Sequence, residues 1–291
     1  MTLAEAVAAA AARLQSAGVE AARRDACLLA CRLLGGGPEL LLAQGERELA
    51  PEEVARIEAA VVRRAAREPV SRILGEREFW SLSFGLNAAT LDPRADSETL
   101  VEAVLAEIGD RSAPLRVLDL GTGSGCLLLA LLSELPQASG CGIDISAEAV
   151  DQAAANAQRL GLSARARFLR HTWEQGLVLG GGADAAPWDL VVSNPPYIAS
   201  GEIAGLAPEV AGFDPAAALD GGADGLDAYR ALVPPALAAL RPGGLLALEI
   251  GQGQAEAVEA LLQAAGLARL RRAADLAGVE RCLLARKAAP E

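Results

Sequence analysis

Leu115-Arg116-Val117-Leu118-Asp119-Leu120-Gly121-Thr122-Gly123-Ser124-Gly125 decides how this chain is built. An apolar run of strand length ends in three glycines spaced two apart, and a helical pattern begins at Cys126. Glycines at a strand-to-helix turn let the backbone come close to a ligand. Working outward, the alternation repeats. Further strands are expected at 138–144, 164–170, 188–193 and 244–250, with helices near 125–134, 147–160, 225–240 and 252–265. This predicts an α/β fold, a mostly parallel sheet with helices on both faces. The end breaks the pattern. Residues 267–275 and 280–286 read as two strands joined by a turn at Gly278, which makes a seven-stranded sheet closed by a C-terminal antiparallel hairpin.

The spacing in the loop is G-x-G-x-G. A pyrophosphate-binding G-x-G-x-x-G would need glycine at position 126, which is Cys. A nucleoside ligand without phosphates is therefore favoured. Asp144 ends the next strand, and an acid there can accept both ribose hydroxyls. It precedes Ser146, the natural cap of the helix from Ala147, so ribose is favoured over capping for Asp144.

A second stretch, Val191-Val192-Ser193-Asn194-Pro195-Pro196-Tyr197, runs from a buried strand into a polar, rigid end. The two prolines fix φ and remove two donors, so neither strand nor helix continues. The Asn194 side-chain oxygen and the Pro195 carbonyl form a pair of acceptors suited to the N–H bonds of a planar nitrogen. Such a nitrogen is a poor nucleophile because its lone pair is delocalised, and fixed acceptors favour the geometry in which charge builds on it. Tyr197 can cover the flat group. Glycine loop, Asp144 and Asn194 all fall at carboxyl ends of parallel strands. Together they describe a nucleoside-bearing methyl donor beside a planar nitrogen, which is S-adenosylmethionine (AdoMet) next to an amide or an exocyclic amine. No metal is required.

The totals narrow the classes. A length of 291 residues fits one large or two ordinary domains, and 52 % apolar residues can build a sizeable core. Aromatics are only 3 %, so Leu, Val and Ala must form it. The net charge of −12 argues against tight nucleic-acid binding, which needs a positive footprint. The five cysteines (27, 31, 126, 141, 282) form no C-x-x-C pair and read as buried, reduced thiols of a cytoplasmic protein. Glu5 interrupts the Ala-rich start, so no signal peptide is expected, and no apolar run approaches the ~18 residues of a membrane span.

Residues 1–72 carry helical spacing: Leu3, Val7 and Leu14, then Leu28, Cys31 and Leu34, then Val54, Ile57 and Val61 after Pro51. This predicts a small helical bundle, serving either substrate docking or as a structural cap or dimer surface. Arg63, Arg64, Arg67, Arg72 and Arg77 form a basic stretch, a solvated face or a contact for an acidic partner. Residues 73–95 switch to strand alternation and predict a hairpin linker, and residues 96–291 form the third segment. Asp96 or Ser97 is expected to cap the helix starting at Glu98.

These residues resemble the AdoMet-dependent methyltransferases and, more narrowly, the peptide chain release factor glutamine methyltransferase family of the N-P-P-Y type. The resemblance runs through Pro69-Val70 to Gly75, Arg77-Glu78-Phe79-Trp80, Pro93-Arg94, the 119–125 loop and Asn194–Tyr197. It continues through Phe213-Asp214-Pro215, Ala218-Leu219, Gly221-Gly222, Asp224-Gly225-Leu226-Asp227 and Tyr229-Arg230. It implies the AdoMet-dependent methyltransferase fold behind a helical domain that docks the substrate. The implied reaction is methyl transfer to the side-chain amide nitrogen of the Gln in the Gly-Gly-Gln loop of class I release factors.

By the same resemblance, Gly121, Thr122, Gly123, Ser124, Gly125, Asp144, Trp173 and Asn194 should line the AdoMet site. Asn194, Pro195, Pro196 and Tyr197 should hold the glutamine, with Asn194, Pro195 and Tyr197 as catalytic residues. A cytoplasmic monomer with no direct nucleic-acid or membrane contact is expected. The alternatives are an adenine-N6 nucleic-acid methyltransferase and a glutamine methyltransferase of a ribosomal protein. Three positions depart from the family pattern: Ala95 for a second Pro, Asp214 for Glu, and Thr172 for the acid before Trp173.

Overall fold

The computed structural model describes residues 1–177 and 187–289. The chain forms two compact units, Met1–Glu76 with the returning segment Ala207–Phe213, and Arg77–Leu206 with Asp214–Glu291.

The first unit is helical: α1 (Leu3–Ser16), α2 (Ala22–Leu33), α3 (Glu39–Gln44), α4 (Pro51–Ala65) and α5 (Val70–Leu74). Thr2 and Glu5 start α1 with a reciprocal capping box: Thr2 Oγ1 accepts from the Glu5 amide at 3.2 Å, and Glu5 accepts from the Thr2 amide at 2.8 Å. Small residues dominate the core. Ala6, Ala10, Ala22, Ala26 and Ala30 are buried with Leu3, Val7, Leu14, Ile57 and Val61, which lets the helices approach closely. Of the two readings of the basic stretch, Arg64 and Arg67 take the acidic contact. Arg64 is buried, with Nε donating to Asp25 at 2.8 Å and Nη2 to Glu209 at 3.0 Å, and Arg67 reaches Glu209 at 2.9 Å. Arg63 pairs with Glu68. The acidic partner of this stretch is the chain itself, and Glu209 lies in the returning segment that belongs to this unit.

The second unit begins with a two-stranded hairpin, β1 (Glu76–Phe79) and β2 (Leu82–Gly85), followed by α6 (Glu98–Glu107). Then come β3 (Arg116–Leu120), α7 (Cys126–Glu134), β4 (Ser139–Asp144), α8 (Ala147–Arg159), β5 (Ala166–Arg170) and β6 (Trp188–Ser193). The short α9 (Pro208–Ala211) lies in the segment that returns to the first unit. The chain closes with α10 (Asp227–Ala239), β7 (Leu240–Glu249), α11 (Ala255–Ala264), β8 (Leu267–Ala274) and β9 (Glu280–Lys287).

The seven-stranded sheet has the order β5-β4-β3-β6-β7-β9-β8. Strands β3 to β7 pair in parallel, and β9 runs antiparallel to both β7 and β8, as the sequence predicts. Successive side chains alternate between two cores, as the pleat requires. Leu190, Val192, Leu245 and Ala247 face one core with α6 and α7. Val191, Leu246 and Leu248 face the other, with Tyr229, Leu232 and Val258 of α10 and α11. The chain moves from β3 out to β4 and β5, then returns to β6 on the other side of β3. That reversal is the switch point at which open α/β sheets bind ligands.

Candidate active site

Strand register sets the site. Leu120 of β3 pairs with Ile143 of β4 on one side and with Ser193 of β6 on the other. Ser193 pairs in turn with Leu248 of β7. The next residue on each strand, Asp144, Gly121, Asn194 and Glu249, therefore stands at one level across four adjacent strands. Ser193 Oγ donates to the Leu120 carbonyl at 2.7 Å, tying the two central ends together.

The glycine loop folds back on this row. Gly121, Gly123 and Gly125 have φ of 72°, 54° and 80°, the left-handed region that side chains resist. The Gly121 and Thr122 amides donate to the Ile143 carbonyl, each at 2.9 Å. The Gly123 amide donates to Asp144 Oδ2 at 3.0 Å, while Oδ1 accepts from the Ser146 amide at 2.9 Å. The loop thus orients the Asp144 carboxylate and leaves lone pairs on both oxygens. Ser146 caps α8 by accepting from Ala149, as expected.

Asn156 of α8 fixes the loop from below. Its Nδ2 donates to the Ser124 carbonyl at 2.8 Å and the Gly85 carbonyl at 3.0 Å, and its Oδ1 accepts from the Gly85 amide at 2.8 Å. The Trp173 ring reaches within 3.7 Å of where a Cβ on Gly121 would stand, so it closes over the loop. Thr172, in place of an acid, accepts from the Glu174 amide and starts the turn that carries Trp173. His171 Nε2 is engaged with the Gly176 carbonyl at 2.6 Å.

Asp119 lies under the loop. Burial pushes its carboxyl up to about 7, the Thr122 hydroxyl pulls the other way, and the Asp144 charge adds to the rise. Thr122 Oγ1 donates to Oδ2 at 2.6 Å, and the Leu128 amide also lowers the carboxyl. The buried Ser124 hydroxyl lies against the Cys126 thiol. Three glycine turns without side chains, and an Asp144 carboxylate held in place with lone pairs to spare, fit a polar nucleoside ligand such as AdoMet.

On the other side of the row, the Asn194–Tyr197 stretch is held from three directions. Gln254 Nε2 donates to the Tyr197 carbonyl at 2.9 Å. Ile198 pairs with the 219–221 turn through Leu219 at 3.0 Å and Gly221 at 2.8 Å. A Cβ on Gly221 would lie 2.8 Å from the Pro196 carbonyl and 2.9 Å from Tyr197 Cα, and one on Gly225 would strike the Tyr197 carbonyl. The Gly221–Asp227 block is therefore the buttress of the Asn-Pro-Pro-Tyr stretch. Asp214 accepts from the Asp92 amide at 3.2 Å and from Arg94 Nη2, tying the Leu91–Arg94 turn to the 213–215 stretch.

Ser97 departs from its expected role. It makes no side-chain cap to α6; instead its Oγ accepts from Asn194 Nδ2 at 3.3 Å. Asp96 pairs with Arg281 at 3.2 Å. The sequence reading missed Ser97, Gln254 and Glu249, because their places depend on register rather than on local pattern.

Against known families, residues 5–75 match the PrmC N-terminal domain and residues 112–261 a methyltransferase domain. A release factor glutamine methyltransferase of Rhodospirillum rubrum is 54 % identical over 95 % of this chain and 82 % of that protein. One from Bradyrhizobium diazoefficiens is 49 % identical over 96 % and 93 %. The chain belongs to the release factor glutamine methyltransferase family. Among solved structures, the catalytic domain of hMettl16, determined with a MAT2A 3'UTR hairpin, matches with a TM-score of 0.56 at 16 % identity, covering 82 % of this chain and 84 % of that one. That likeness concerns the methyltransferase fold alone. Among the described residues, no helix is long and apolar enough to cross a membrane.

Proposed function

We propose that this member of the family transfers a methyl group from AdoMet to the side-chain amide nitrogen of the glutamine in the Gly-Gly-Gln loop of class I peptide chain release factors. The observation that carries the reading is the Leu120–Ser193 register: it sets the glycine loop and the Asn-Pro-Pro-Tyr stretch side by side at the switch point. Bound AdoMet supplies an electrophilic methyl carbon on a sulfonium.

The chain's own residues do the rest. Gly121–Gly125 and Trp173 hold the nucleoside, and Asp144 accepts the ribose hydroxyls. Asn194 Oδ1 and the Pro195 carbonyl accept the two N–H bonds of the substrate amide, which orients the nitrogen lone pair and stabilises the positive charge that grows on it. Pro196 and Tyr197 wall the amide and exclude water. Tyr197 acts as a neutral phenol: burial raises it well above its ordinary value, with the nearby Glu249 charge adding to the rise. The amide nitrogen gains the methyl and gives up one N–H proton to solvent. The N-terminal helical unit docks the protein substrate, and a substrate of translation termination sets the reaction in the cytoplasm.

The test is methyl transfer from labelled AdoMet to purified release factor, followed by peptide mapping. Label on the Gly-Gly-Gln glutamine supports the proposal; a release factor left unlabelled by folded, AdoMet-binding protein refutes it.

A further inference from the structure

Four neighbouring strands end at one level, and the last of their terminal residues, Glu249, has been given no task. It stands beside Asn194 because Leu248 pairs with Ser193. It is only 2 % exposed. The Tyr197 hydroxyl lies 3.4 Å from Oε1, the Ser97 hydroxyl is near enough to the carboxyl to lower it, and Oε2 has no hydrogen-bond partner. The other ionisable groups around it are Arg281, Asp96, Tyr229 and the thiols of Cys126 and Cys282. Tyr229 donates its hydroxyl to the Glu249 carbonyl at 3.0 Å, and Arg281 is shared with Asp96 and Asp275. The carboxylate therefore has one partly neutralised cation nearby and hydroxyl groups in front of it.

An ionised carboxylate can only accept hydrogen bonds, and a serine has one proton to give. With Glu249 charged, the Ser97 proton is drawn toward it, and the Ser97 oxygen is left to accept. The donor facing that oxygen is Asn194 Nδ2, at 3.3 Å. The amide of Asn194 is then fixed one way round, with Nδ2 toward Ser97 and Oδ1 toward the substrate. Remove the charge and the Ser97 proton can turn to Asn194 instead. The amide can then rotate half a turn and present its NH2 group, a donor, to the N–H bonds it must accept.

We propose that Glu249 is a positioning residue: through the Ser97 hydroxyl it holds the Asn194 side chain with its oxygen toward the target glutamine. This rests on the glutamine-methylating reading above. Burial pushes the Glu249 carboxyl up to about 7, against the Ser97 hydrogen bond and the Arg281 charge, with Asp96 adding to the rise. The charge that orients Asn194 is accordingly gained as pH rises through neutrality.

The experiment measures kcat and KM for release factor across about pH 5.5 to 9, with AdoMet affinity by calorimetry, for wild type, Glu249→Gln, Ser97→Ala and the double variant. Wild type is expected to lose kcat below about pH 7. Glu249→Gln and Ser97→Ala should each lower kcat by ~10-fold to 100-fold, the cost of a misoriented contact at the reacting atom, with KM and AdoMet affinity within about threefold. Both should lack the acid limb. The double variant should lose no more than the worse single one, since both break one relay. Wild-type kcat in Glu249→Gln, a retained acid limb, or losses that multiply in the double variant would overturn the proposal. If Glu249→Gln does not fold, Ser97→Ala decides alone, and wild-type kcat in it is fatal. Failure of the wild type to label the glutamine would refute the function instead, so the two failures are distinct.

Discussion

Asn156→Ala should damage stability and cofactor binding together. Asn156 is 1 % exposed and joins the hairpin to the glycine loop through the Gly85 amide, the Gly85 carbonyl and the Ser124 carbonyl. The substitution orphans one buried donor and two buried acceptors, at ~1–3 kcal/mol each. Gln152 Nε2 and Arg159 Nη2 both lie 3.4 Å from Asn156 Oδ1 and can recover part of this, which brings the expected loss to about 3 kcal/mol. For a unit of this size that is a fall of ~6–12 °C in Tm. Because the Ser124 carbonyl anchors the loop, AdoMet affinity should weaken by roughly tenfold, equivalent to ~1.4 kcal/mol. Asn156→Asp should do no better, since it keeps the acceptor for Gly85 but turns a second oxygen on two carbonyls. Calorimetric unfolding and AdoMet titration check both effects. A Tm shift below ~2 °C with unchanged affinity would refute the claim that this side chain holds the loop.

Three further outcomes follow from the geometry. Gly225→Ala forces a side chain into φ +75° and onto the Tyr197 carbonyl, so kcat should fall about tenfold or more while AdoMet affinity holds; steady-state kinetics decide it. Arg64→Met removes the cation that Asp25 and Glu209 share and leaves Glu209 only Arg67, so it should cost the helical unit about 3 kcal/mol by urea unfolding; a loss under ~1 kcal/mol contradicts the buried network. The raised Asp119 carboxyl means the folded chain keeps a proton that the unfolded chain releases between about pH 4 and pH 7, so stability should decline as pH rises through that window. Asp119→Asn, measured by Tm against pH, should flatten that decline, and an unchanged slope would contradict the assignment.

The strand-and-helix alternation was legible because period and punctuation are local: Gly121–Gly125, Pro195-Pro196 and Gly278 each mark where an element must end. The closing antiparallel strand was legible for the same reason, since a short turn at Gly278 cannot return the chain in parallel. The fate of Arg64 and Arg67 was not, because their carboxylates come from Asp25 and from Glu209, distant in sequence. Ser97 looked like a helix cap, and its hydroxyl turned to Asn194 instead because the end of β6 stands beside it. Glu249 could not be singled out at all. Its place in the site comes from two register pairings, Leu120 with Ser193 and Ser193 with Leu248, that no local pattern encodes. The role of Gly221 and Gly225 was visible only as a family motif until the backbone of Pro196 and Tyr197 was seen against them.

The central claim is that the oxygens of Asn194 and Pro195 make a release-factor glutamine reactive toward AdoMet. Its most direct test is single-turnover methylation of a class I release factor by wild type and Asn194→Ala, read by mass spectrometry of the Gly-Gly-Gln peptide. The account predicts one methyl on that glutamine with wild type and a rate lowered on the order of 100-fold or more in the variant, with AdoMet binding much less affected. A methyl found on another residue, or an unchanged rate in Asn194→Ala, would contradict it.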